Sequence, residues 1–116
     1  MKYQNISFKV LFSLFLVICI AVHVYGLLTR FNDESVLSHI VHTLSYSVCL
    51  FTFLYPVKYR LILYFFGAVY PVAYHAKCFL SQIVYQSKFN SICFLVIFIL
   101  PLAAVVIWKN VKRPAV

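Results

Sequence analysis

Four apolar blocks, each near 20 residues long, leave this chain little choice of environment. They run from about Phe8 to Leu28, Ser35 to Tyr55, Lys58 to Cys78 and Ile92 to Trp108. A helix rises about 1.5 Å per residue, so a block of roughly 20 residues crosses a hydrocarbon core of about 30 Å. Only 10% of the 116 residues are charged and mean hydropathy is +0.97. A soluble domain carries about a quarter charged residues. The expected fold class is therefore all-α: a polytopic membrane protein, one domain over residues 1–116, built as a bundle of four transmembrane helices.

The breaks between blocks carry the signals that should end helices. Asp33 and Glu34, the only acids, precede the second block, where negative charge suits a helix N-terminus. Pro56 ends that block, because the residue before a proline is pushed out of the α region. Pro71 and Pro101 fall inside the third and fourth blocks, where they should kink the helix. The third helical pattern continues to about Gln86, since Phe79, Leu80, Ile83 and Val84 keep one apolar face. Lys2 and Lys9 ahead of the apolar run that starts at Val10 resemble a signal peptide, but the run exceeds an h-region of about 7–15 residues, so it reads as a retained span.

Basic residues set the orientation. With the N-terminus inside, the inner side holds seven: Lys2, Lys9, Lys58, Arg60, Lys109, Lys112 and Arg113. The outer side holds three, Arg30, Lys77 and Lys88, beside both acids. The expectation is N-in and C-in, in a bacterial cytoplasmic membrane, with the lipid bilayer as first partner. The net charge of +8 is spread singly and in pairs between apolar blocks. Headgroups and orientation account for it, and no groove-reading motif points to nucleic acid.

The second block carries the feature with chemical content. Ser35, Ser38, His39, His42, Tyr46, Cys49 and Thr52 fall within an arc of about 100° on a helical wheel. A polar stripe on a lipid-solvated helix wants a protein partner or a cleft. Arg60, Tyr64, Gly67, Pro71, Tyr74, His75 and Cys78 form a matching stripe on the third block, and Cys19, His23, Gly26 and Arg30 a weaker one on the first. The fourth block has none and reads as a packing helix.

Alternating directions bring all four histidines to one depth. Counting about 1.5 Å per residue from the inner boundary, His23 lies about 21 Å away, His42 about 20 Å, His39 about 24 Å and His75 about 22 Å. Three chemistries need such a layer. His23, His39, His42 and His75 could ligate a transition metal such as Cu, Zn or Fe. His42 and His75 could be the axial ligands of a haem b, with Gly26 or Gly67 making room for the macrocycle. Histidines could also relay protons. Against these stands a plainer role: Ser, Thr and His commonly hydrogen-bond across spans as helix-helix glue.

The functional expectation is an outward-facing histidine site for a metal or haem, in metal handling or electron transfer. The alternative is a non-catalytic accessory subunit whose polar faces dock a membrane-protein partner or a second copy. Enzymatic chemistry has little to stand on. No Ser-His-Asp, GxSxG, HExxH or phosphate-cradling pattern occurs, and no carboxylate lies inside a block. The four cysteines are scattered, without a CxxC pair, and three of them lie deep in apolar runs and read as small hydrophobes.

Overall fold

The computed structural model describes residues 2–29, 35–84 and 91–112. Among the described residues there are four α-helices and no strand: α1 (Lys2–Thr29), α2 (Val36–Leu54), α3 (Arg60–Val84) and α4 (Ser91–Lys112). Arg30, Asp33, Glu34, Lys88 and Arg113, used above for orientation and helix starts, lie outside the described residues.

Local chemistry explains the described helix ends. Ser35 caps α2: its extended backbone leaves the helix and its hydroxyl accepts from Ser38 N at 3.1 Å. Tyr55, before Pro56, is extended at φ −116 and ψ 135, and α2 stops at Leu54. The α2–α3 turn is tight enough to hold Tyr59 at φ 58, left-handed for a non-glycine residue. Arg60 closes the turn by donating to the last carbonyls of α2, from Nε to Thr52 O at 2.6 Å and from a terminal nitrogen to Phe53 O. Pro71 and Pro101 sit within α3 and α4 without ending them.

Each helix packs on the next, α1 on α2, α2 on α3 and α3 on α4. One apolar core joins all four: Phe12 and Leu16 from α1, Phe53 from α2, Tyr64 from α3, Leu100 and Ile107 from α4. At the end near Arg60, Phe12 meets Phe53 edge-on at 4.7 Å between ring centroids. The opposite end holds the histidines.

The buried face of α2 is the polar stripe: Ser38, His39, His42, Tyr46, Cys49 and Thr52, joined by Phe53. The outward surface is apolar, with Leu28 at 78% exposure, Phe66 at 74% and Leu44, Val69 and Ile18 all well exposed. Polar groups inside and large apolar groups outside reverse the usual order of a soluble domain. Two helical stretches, Phe8–Thr29 and Val36–Leu54, are long and apolar enough to cross a membrane. The apolar part of α4, Cys93–Lys109, is shorter, and α3 does not meet the same test. Length and composition thus single out two of the four expected spans, α1 and α2; α3 brings Arg60, Tyr64, Tyr70, Tyr74, His75 and Lys77 into its sequence.

A histidine and tyrosine layer across the helices

Four histidines and three tyrosines meet at one level of the fold. α1 supplies His23, α2 supplies His39, His42 and Tyr46, and α3 supplies Tyr70, Tyr74 and His75. The helical repeat puts His39, His42 and Tyr46 on one face, one turn apart, and antiparallel pairing brings the end of α1 alongside. His42 is fully buried, His39 is 1% exposed and His23 is 8% exposed.

The rings stack and cross. His23 lies over His42, with centroids 4.3 Å apart and planes 10° from parallel. Tyr74 and Tyr70 meet His42 edge-on at 4.7 and 4.9 Å. His75 closes the far side, 5.6 Å from His42. The expected inter-helix pocket is therefore occupied by the rings that line it.

Hydrogen bonds fix how these rings are held. His42 Nδ1 donates to Ser38 O, its own helix one turn back, at 3.0 Å, and also lies 3.3 Å from Ser38 Oγ. A carbonyl only accepts, so Nδ1 carries the proton and, in the neutral ring, Nε2 carries the lone pair. Tyr70 donates its hydroxyl proton to Ser38 Oγ at 3.0 Å, tying α3 to the same group. His23 Nδ1 and His39 Nδ1 face each other at 3.1 Å, so one nitrogen donates and the other accepts. His75 spans three helices: Nε2 lies 3.4 Å from Tyr46 Oη and Nδ1 lies 3.2 Å from Cys93 Sγ of α4.

The histidines expected to ligate a metal, His23, His39, His42 and His75, thus come together, but not as one ligand set. Among the described residues no group of three or more His, Cys, Asp or Glu side chains is arranged to hold a metal ion. The physical reason is direction: two nitrogens face each other, one faces its own helix, and His75 faces Tyr46 and Cys93.

Gly26 and Gly67, expected to leave room for a haem, have neighbours from α2 instead. A Cβ at Gly26 would lie 2.6 Å from His39 Cε1 and 2.9 Å from His39 Nε2. One at Gly67 would lie 3.0 Å from Ser45 O, 3.0 Å from Val48 Cγ1 and 3.1 Å from Cys49 Sγ. Both glycines serve close helix approach, the other role small residues play between spans.

Two members of the layer escaped sequence reasoning. Cys93 stands alone in the apolar fourth block, and its pairing with His75 depends on lateral placement that no periodicity encodes. Tyr70 reads as an interface tyrosine until Ser38 is beside it. Elsewhere the hydroxyls serve their own helices: Thr29 donates to Tyr25 O, Thr43 to His39 O, Ser47 to Thr43 O and Thr52 to Val48 O, all within 2.7–2.8 Å. Comparison with family models, curated proteins and solved structures finds no match to this chain. What the residues themselves define is an all-helical protein with two helices able to cross a membrane and a polar layer buried between them.

Proposed function

We propose that this chain is a small multi-pass membrane protein of four spans, a non-catalytic accessory component whose histidine–tyrosine layer joins its helices. One observation carries the reading. The described contacts of the buried imidazoles go to protein groups on neighbouring turns and helices, and their rings fill the space between the stripes. A layer built this way is a joint. It supplies directional contacts where lipid, being as apolar as leucine, gives helices little reason to associate.

The reversed polarity supports membrane residence for α3 and α4 as well. Ile62, Phe66 and Val69 of α3 and Phe98 and Leu102 of α4 point outward, while Tyr64 and His75 turn inward. Exposed Thr29 and Ser47 fold their hydroxyls back onto their own helices, which satisfies them without water. The seven-to-three split of basic residues favours both ends on the cytoplasmic side, and the proposed compartment is the bacterial cytoplasmic membrane. The polar faces expected to dock a partner are turned onto one another inside the fold, so a larger membrane protein or a second copy would meet the apolar outer faces instead.

A second reading keeps the layer as a transition-metal site, and the His23–His39 pair favours it. Ligands on a tetrahedral zinc, at about 2.0–2.1 Å each, stand about 3.3 Å from one another. The Nδ1 atoms are 3.1 Å apart, so the pair has nearly the spacing of two ligands as well as that of a hydrogen bond. His42, with Nδ1–H on a carbonyl, has the tautomer in which metal-bound histidines are commonly held.

Purification in mild detergent, a visible spectrum and metal quantification separate the readings. A joint predicts no Soret band, no stoichiometric metal after loading with Cu, Zn or haem, and lower melting temperatures for His23→Ala and His42→Ala. Stoichiometric metal that disappears in His23→Ala and His39→Ala overturns the joint and establishes the metal site. Reporter fusions after Lys58 and after Lys88 test the topology, which requires opposite sides.

A further inference from the structure

We propose that the furrow between α3 and α4 holds one acyl chain of an anionic phospholipid, with its phosphate at Lys109. This rests on the membrane-spanning reading above. The furrow is a hollow of about 290 Å³ bounded by Tyr64, Phe65, Ala68, Val72, Leu100 and Pro101. It runs on, through Phe65, Pro101 and Ala104, into a second hollow of about 470 Å³ that ends at Trp108. Small side chains make the depth: Ala68, Ala73 and Ala104 face it where bulkier residues would close it.

The chemistry of the walls selects the occupant. The one hydroxyl among the furrow's lining residues, that of Tyr64, donates to Leu100 O at 2.8 Å, across the α3–α4 interface. Its proton is therefore committed to the protein, and apart from the Trp108 indole at the foot the remaining walls are hydrocarbon. A polar ligand would lose its water for little return, whereas an alkyl chain loses nothing. Length agrees too. Leu61 to Ala73 covers about 18 Å of helix, close to the roughly 15 Å of one leaflet's hydrocarbon.

Charge complementarity selects the headgroup. Trp108, at 44% exposure, stands at the foot of the furrow, and exposed Lys109 follows it, with Lys112 and Arg113 the next basic residues in sequence. Tryptophan and lysine together mark the headgroup level. The chain carries ten basic residues against two acids, and both acids, at positions 33 and 34, fall between α1 and α2 in sequence, far from Lys109 along the chain. Among the described residues, one cation, Lys77, lines the hollow beyond Ala73 at the furrow's other end. The lipid therefore stands with its phosphate at Trp108 and Lys109 and its chain directed toward Ala73.

Native mass spectrometry of the full chain, titrated with phosphatidylglycerol or phosphatidylcholine of equal chain length, tests this. Wild type should retain one phosphatidylglycerol per chain in preference to phosphatidylcholine. Lys109→Gln should weaken phosphatidylglycerol binding about fivefold, the value of one cation at an anionic surface. Lys77→Gln should leave it unchanged. Ala73→Phe, at an exposed position that tolerates bulk, should reduce binding of both lipids by shortening the furrow. Equal binding of the two lipids by wild type, an effect of Lys77→Gln in place of Lys109→Gln, or a dimer that excludes lipid from the furrow each overturns the proposal. Alkaline carbonate extraction of membranes from expressing cells separates the two levels. Release of the chain refutes membrane insertion itself, whereas a chain kept in the pellet but without phosphatidylglycerol preference refutes the lipid site alone.

Discussion

Replacing Gly26 with alanine pits two effects of opposite sign against each other, and the structure decides the winner. In a helix interior, glycine to alanine is worth about 1 kcal/mol of stability through backbone entropy. At residue 26 the new methyl would sit 2.6 Å from His39 Cε1 and 2.9 Å from Nε2. The ring is at the free end of a side chain, so in open space it would swing aside at little cost. Here it is 1% exposed and held by the His23 contact at 3.1 Å. Forcing bulk into such packing costs about 1–3 kcal/mol, and breaking the buried hydrogen bond adds about 1 kcal/mol. Gly26→Ala should therefore destabilise the protein by a net of about 1–3 kcal/mol, after the helix-propensity gain of about 1 kcal/mol is set against these costs. In a His39→Ala background the obstacle is gone and the same substitution should stabilise by up to about 1 kcal/mol. The assay is a double-mutant cycle of chemical or thermal unfolding in one detergent, followed by circular dichroism. A Gly26→Ala gain of equal size in both backgrounds would refute the close approach of α1 to His39 and, with it, the account of why this position is glycine.

Four further outcomes follow from named contacts. Gly67→Ala should destabilise by about 1–3 kcal/mol, and Cys49→Ala should not rescue it, because Ser45 O is backbone and cannot give way; rescue seen in unfolding midpoints would show that the thiol alone sets the spacing. Tyr64→Phe should cost about 0.6–1.7 kcal/mol, the range for a hydrogen bond between spans, read from the same melts, and no loss would mean the bond to Leu100 O is not made in solution. Arg60→Lys keeps the charge but loses the fork that reaches Thr52 O and Phe53 O, and should lower stability by about 1 kcal/mol or more; a melt matching wild type would remove Arg60 from the turn. Tyr59→Gly should raise stability by about 1 kcal/mol, since φ 58 costs a non-glycine residue about that much, and a lowered melting temperature would refute the left-handed turn.

How much of this was legible depended on whether a relation ran along one helix or between two. The α2 stripe was readable because residues three and four apart share a face, and six of its seven members belong to the buried set of that helix, which Phe53 completes. Ser35, the seventh, lies at the cap and is exposed. The ends of α2 were readable from Pro56 and the polar run before it, and α3 continues to Val84 along the apolar face of Phe79 to Val84. The common depth of the histidines followed from counting residues along antiparallel helices, and their rings do meet. What counting could not supply was azimuth. Gly26 was assigned to a ligand's space because nothing in a wheel says that His39 fills it. Pairs such as His75 with Cys93 and Tyr64 with Leu100, 18 and 36 residues apart, depend on how far each helix is rotated about its own axis. The reach of α1 back to Lys2, beyond the apolar block, was also missed.

The two ends of this fold are joined by different forces, and the difference bears on what the layer is for. At the Arg60 end, Phe8, Phe12 and Phe53 interlock as rings and a tight turn links α2 to α3. Such packing depends on shape and dispersion, and each contact is small but numerous. At the other end, the linkers 30–34 and 85–90 follow α1 and α3, and the joint consists of a few directional contacts among His23, His39, Ser38, Tyr70, Tyr46, His75 and Cys93. A shape-based seam tolerates exchange of one aliphatic group for another of similar volume. A hydrogen-bonded layer does not, because removing one partner strands the other away from water. Substitutions of equal volume change should therefore be graded along the axis of the bundle, tolerated near Phe53 and costly near His42. That gradient is what a joint requires and what a lipid-filled interface without polar groups would lack. A metal site would add a loss confined to its ligands and seen only with metal bound, whereas Ser38→Ala and Tyr70→Phe would cost the same with and without metal. A joint spreads the loss to both, since Ser38 Oγ stands between Tyr70 and His42.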